Sequence, residues 1–99
     1  MHENSFVVIN LQGPNERFVG RLIEIGLSGV TIRGVDIQAF DDWMNDITHK
    51  EESGVRPSTI FYPLHRIEKI MLDEDLGGIP SLANTFLTKV GASVQDYLE

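Results

Sequence analysis

Along the first third of the chain, apolar positions come in short β-branched runs separated by glycine-containing turns. Phe6-Val7-Val8-Ile9-Asn10-Leu11 is almost wholly apolar and reads as a first strand. Gly13-Pro14-Asn15-Glu16 supplies turn chemistry behind it. From Phe18 to Ile25 the pattern alternates. Phe18, Gly20, Leu22 and Glu24 fall on one face, and Val19, Arg21, Ile23 and Ile25 on the other. Successive strand side chains point to opposite faces, so this predicts a second strand. Gly20 within it predicts strong bending or the close approach of another backbone. A turn at Gly26-Leu27-Ser28-Gly29 leads to a third strand, Val30-Thr31-Ile32-Arg33. The apolar phase then moves to Val35 and Ile37, which predicts a β-bulge at Gly34.

The stretch from Gln38 to Ser58 is too long for a plain hairpin loop. Within it Phe40, Trp43, Met44 and Ile47 recur at helical spacing, with Asp41, Asp42 and Asp46 on the remaining positions. The acids precede His49 and Lys50, the order a helix dipole favours. The prediction is a short amphipathic helix near 39–49, packed on the sheet through Phe40 and Trp43, with a solvated acidic face. A loose acidic loop, Glu51-Glu52-Ser53-Gly54, follows. Strands four and five are predicted at 58–63 and 66–72. Pro63 cannot donate a ladder hydrogen bond, so it belongs at the end of the fourth strand, where a tight, polar-tipped corner begins. Asp73-Glu74-Asp75 and Gly77-Gly78 read as an exposed exit. Pro80 and Ser81 then open a C-terminal helix with an apolar stripe of Leu82, Ala83, Phe86, Leu87 and Val90. Gly91 ends it, and Ser93 caps a last short turn carrying Tyr97 and Leu98.

These elements make a mainly β chain: a small, bent, five-stranded SH3-like barrel over residues 5–73. A short helix lies in the 38–58 connection, and a helical extension covers 79–98. At 99 residues the chain is the size of one domain, so 1–99 is read as a single unit. No apolar run reaches about 18 residues, the length a membrane helix needs. The start, Met1-His2-Glu3-Asn4-Ser5, lacks the basic end and apolar stretch of a signal peptide. Cysteine is absent, which excludes disulfides and thiolate chemistry. Together these features lead to the expectation of a cytoplasmic protein with no membrane role.

Net charge is −7, from eight Lys and Arg against fifteen Asp and Glu, which argues against bulk electrostatic binding of nucleic acid. The charge is uneven, however. Residues 53–72 carry Arg56, Arg66 and Lys69 against Glu68 alone, so a local basic patch around the predicted corner is expected. Catalysis is not expected. The chain has no glycine-rich phosphate loop after a strand, no Ser-His-Asp set in a plausible context and no carboxylate pair flanking a cleft. His2, His49 and His65 lack metal-ligand spacing, and the aspartates of the first helix lack a calcium-loop pattern. The expectation is a non-enzymatic protein with no metal and no cofactor.

Two stretches carry a resemblance. Leu11, Gly13, Phe18, Gly20 and Leu22 give an apolar strand, a turn glycine and a bent strand reading apolar-x-Gly-x-apolar. Ile60-Phe61-Tyr62 followed by His65-Arg66-Ile67 gives a strand ending in a histidine corner. Over residues 6–72 the chain thus resembles the Sm-like family of RNA-associated barrels, with its bacterial Hfq subfamily. That subfamily's strand ends in Tyr-Lys-His-x-Ile. Pro63 stands where its Tyr would be and Leu64 where its Lys would be, whereas His65 and Ile67 match. The family's N-terminal helix has no counterpart, and the C-terminal helix is expected in its place.

The resemblance implies a closed homo-oligomeric ring of about five to seven subunits, paired through the fourth and fifth strands. It also implies single-stranded RNA bound weakly at the corner by His65, Arg66 and Lys69. The residues themselves argue for self-assembly, since the edge run Ile60-Phe61-Tyr62 is too apolar to stay bare. The alternative expectation is an interaction or scaffold module without an RNA role. It would present the acidic 39–49 helix and the C-terminal helix to a protein partner.

Overall fold

A computed structural model describes residues 1–50 and 54–99. Five strands form one antiparallel sheet: β1 (Phe6–Leu11), β2 (Glu16–Ile25), β3 (Gly29–Asp36), β4 (Ser58–Pro63) and β5 (Ile67–Leu72). Their order across the sheet is β4-β3-β2-β1-β5, so β4 and β5 are its two edges. Among the described residues two helices complete the fold, α1 (Phe40–His49) and α2 (Leu82–Val90), with 3-10 turns at Ile37–Ala39, Leu64–Arg66 and Val94–Tyr97. The mainly β class, the five strands and both helices are as the hydrophobic pattern predicts. No helix among the described residues is long and apolar enough to cross a membrane. Three of the four residues of the predicted acidic loop, 51–53, lie outside the described residues.

The bend of the sheet has a local cause. Gly20 and Gly34 stand directly opposite each other in β2 and β3, with Val19 opposite Val35 and Arg21 opposite Arg33 on either side. A Cβ on Gly20 would fall on the Arg33 carbonyl and lie 2.7 Å from the Gly34 Cα, and a Cβ on Gly34 would fall on the Val19 carbonyl. The two backbones therefore approach at a point where neither can carry a side chain. This corrects the expected bulge at Gly34. The ladder runs through Gly34 without a slip, and the irregularity lies in β2, between Leu22 and Glu24.

Each sheet face carries its own core. On the concave face Val7, Ile9, Leu11, Phe18, Leu22, Val30 and Ile32 are buried together. On the other face Phe6, Val8, Val19 and Val35 meet Phe40, Trp43 and Met44 of α1, and Phe86, Val94 and Leu98 from the C-terminal segment. Alternation along β1 explains this division, since its even residues face the helices and its odd residues face the barrel interior. Phe40 and Trp43 are thus packing residues. Phe86 is fully buried, with Leu82, Ala83 and Val90 packed half-buried beside it. Leu87 departs from the predicted stripe and is 49% exposed.

Asp73 and Asp75 are more than an exposed exit. Asp73 accepts from the backbone N–H groups of Leu82 (2.8 Å) and Ala83 (2.9 Å) at the start of α2. Asp75 accepts from the Ser81 N–H (2.7 Å) and from the Asn84 side chain (2.9 Å). Ser81 accepts from the Asn84 N–H (3.0 Å) as N-cap. Helix starts leave such donors unsatisfied, and carboxylates there also meet the positive end of the dipole. At the other end Gly91, at φ +85°, closes α2 in the left-handed region that favours glycine. The last turn is then tied to the sheet. Arg33 Nε donates to the Leu98 carbonyl (2.6 Å), and Arg21 donates to the Gln95 side chain (3.2 Å).

Candidate functional site

The corner between β4 and β5 is fastened from two sides. Leu64 N–H donates to the Ser28 carbonyl (2.9 Å), which ties the 3-10 turn to the β2–β3 hairpin. Gln12 ties it to the β1–β2 turn. Its backbone N–H donates to the Arg66 carbonyl (2.8 Å) and its side chain donates to the His65 carbonyl (3.1 Å).

Arg66 completes this fastening and is largely consumed by it. Its Nε donates to the Gln12 carbonyl (2.9 Å), and its terminal nitrogen pairs with Glu16 (3.1 Å) and reaches the Pro14 carbonyl (3.4 Å). The guanidinium also lies 5.9 Å from the Tyr62 ring centre, within cation–π range. Its charge therefore faces Glu16 and the loop. His65 is exposed on the turn. Lys69 is exposed on β5, in register with Asn10 of β1. Of the three expected RNA contacts, two present free side chains and the third holds the corner together. Burial raises the Tyr62 hydroxyl pKa first, and the nearby Glu16 carboxylate raises it further.

The edge run Ile60-Phe61-Tyr62 divides between faces. Ile60 and Tyr62 pack against the concave core, and the Tyr62 ring meets Phe18 edge-on at 5.8 Å. Phe61, on the alternate face, is 53% exposed. The concave core shows a clear asymmetry. All its members from β1, β2 and β3 are buried. Ile60 and Tyr62 from β4 and Ile67 and Ile70 from β5 are only half-buried. The barrel interior is therefore covered by three strands and left open along its two edges. Leu64, Met71 and Leu72 add exposed apolar surface beside those edges.

Sequence reasoning missed one feature. A cleft of about 590 Å³ opens where the end of β1, the start of β2, the end of β3 and β5 converge. Its polar lining includes Asn10, Arg17, Asp36 and Glu68. The available signal was Asn10, the one polar residue in the otherwise apolar β1 run. Among the described residues, no three His, Asp or Glu side chains are grouped to hold a metal ion. Compared with protein-family models, curated proteins and solved structures, the chain matches none of them.

Proposed function

We propose that this protein is a non-enzymatic subunit that assembles with copies of itself by pairing the β4 edge of one copy with the β5 edge of the next. The carrying observation is the half-buried state of Ile60, Tyr62, Ile67 and Ile70, the edge-strand share of an otherwise buried core. An unpaired apolar edge is a template for another strand, and pairing covers both the backbone groups and these side chains. Charge favours unlike edges. Residues 54–65, around β4, carry Arg56 and His65 and no acid, whereas residues 68–75, around β5, carry Glu68, Asp73, Glu74 and Asp75 against Lys69. Two β5 edges repel each other, and a β4 edge attracts a β5 edge. Head-to-tail pairing of this kind uses each edge once per copy and leaves none bare when it closes into a ring.

A scaffold role follows most directly, with the assembled surface as the functional part. An RNA role would rest on His65 and Lys69, since Arg66 is neutralised by Glu16. A titration with uridine-rich RNA at low salt separates the two roles. Salt-sensitive binding lost in a Lys69→Ala variant supports RNA, and no binding supports the scaffold.

Blocking one edge at a time tests the pairing. Phe61→Lys places a charge on β4 and leaves β5 intact, and Leu72→Lys does the reverse. Each variant alone is expected to be monomeric by light scattering. Mixed, they should form a dimer and nothing larger, because one intact edge of each remains. Variants that keep the full native assembly, or a mixture that stays monomeric, would overturn the proposal.

A further inference from the structure

The polar cleft is built differently from the open edges, and its chemistry can be read independently of self-assembly. Its volume of about 590 Å³ lies in the range of small-molecule sites. Leu11 and Ile37 supply its apolar contacts, and no aromatic side chain lines it. That argues against an apolar ligand and against a sugar, which would be stacked on a ring.

Four charged side chains line the cleft: Glu16, Arg17, Asp36 and Glu68. Glu16 is already paired with Arg66. Asp36 spends one oxygen on the Gln38 N–H (2.8 Å), and its other oxygen has no partner among the described residues. Arg17 and Glu68 have no ion-pair partner among the described residues. One cation therefore faces two carboxylates, a net negative balance that disfavours phosphates and other polyanions.

The register places these groups in sequence across the sheet. Asn10 stands opposite Arg17 on β2 and opposite Lys69 on β5, with Glu68 at the irregularity between the Lys69 and Ile67 pairings. Asn10 Oδ1 is shielded and accepts no hydrogen bond, the only such buried side-chain atom found among the described residues.

We propose that this cleft binds a basic α-amino acid. The ligand carboxylate pairs with the Arg17 guanidinium, whose planar fork suits a carboxylate. The two ammonium groups, or an ammonium and a guanidinium, pair with Asp36 and Glu68. The single net positive charge of free lysine or arginine balances the single net negative charge left in the cleft.

Calorimetric titration of the full chain with L-lysine, cadaverine and L-norleucine tests this. Cadaverine lacks the carboxylate, and norleucine lacks the side-chain cation. L-lysine should bind at least about tenfold more tightly than either. Arg17→Gln should abolish the advantage over cadaverine. Asp36→Asn, which keeps an acceptor for Gln38, and Glu68→Gln should each reduce the advantage over norleucine. Circular dichroism and native mass of each variant report whether fold and assembly are retained. No saturable heat with L-lysine up to about 10 mM, or equal affinity for the three probes in the unmodified protein, would overturn the proposal whatever the variants do. Retained lysine-over-cadaverine preference in a folded Arg17→Gln variant would do the same.

Discussion

Truncating Phe86 to alanine should remove the keystone between the two helices and the sheet. Phe86 has no exposed surface. Its ring centre lies 5.2 Å from that of Trp43, 5.6 Å from Tyr97 and 6.1 Å from Phe40. Burying a phenylalanine and then deleting its ring costs about 3–5 kcal/mol, the transfer loss plus the cavity left behind. The upper half of that range applies here. The three neighbouring rings belong to α1 and the last 3-10 turn, and they cannot all move inward without leaving the sheet. Stacked and edge-on aromatic pairs add about 0.5–1.5 kcal/mol each beyond area. One kcal/mol corresponds to about 4–8 °C in a chain of this size, so the melting temperature should fall by at least about 16 °C. Urea denaturation followed by Trp43 fluorescence, at one fixed protein concentration, reads the loss directly. Leu87→Ala, one position on and half-exposed, should cost less than about 1 kcal/mol. A Phe86→Ala loss below about 1 kcal/mol, or equal losses at the two sites, would refute the placement of α2.

Gly34→Ala should destabilise the fold by about 1–3 kcal/mol or more, because the added methyl meets the Val19 carbonyl, and chemical denaturation checks it. Asp73→Ala should lose two N-terminal hydrogen bonds of α2 and about 1–2 kcal/mol, with hydrogen exchange rising first in Leu82 and Ala83. The Ser81 N–H, then the Asn84 side chain, hold the Asp75 carboxyl below its ordinary pKa. Its stabilising effect is therefore present above the unfolded-state pKa and is lost as pH falls through the lower folded-state value. Asp75→Asn should lower stability at neutral pH and flatten the acid limb, so that the variant and the unmodified protein converge below about pH 4. Glu16→Gln should loosen the corner by removing the charge partner of Arg66. Protease susceptibility of the 12–16 turn should increase while the circular dichroism spectrum stays the same.

Period and turn chemistry made most of the fold legible. β1 and β4 occupy their predicted limits, and Gly91 and Ser93 terminate and restart the C-terminal segment as their backbone chemistry dictates. What the pattern did not reveal depends on register and on long-range pairing. The change of apolar phase near Gly34 looks like a bulge in one strand, and only the partner strand shows that it is a glycine facing a glycine. Asp73 and Asp75 look like a solvated charge run until the chain folds back and offers them the donors of α2. Arg66 looks like a free cation at a corner, yet its partner, Glu16, lies 50 residues away in sequence. The cleft escaped for the same reason, since Asn10, Arg17, Asp36 and Glu68 meet only across four strands. Leu87 fits a helical stripe but falls just beyond the arc that the sheet covers.

In solution the two open edges are expected to find each other between copies. Native mass spectrometry at micromolar concentration, with and without the edge substitutions, tests it most directly. Edge pairing predicts one closed species whose mass is a whole multiple of the 11.1 kDa chain, reduced to the single chain by either Phe61→Lys or Leu72→Lys. A single-chain mass for the unmodified protein under those conditions would contradict it.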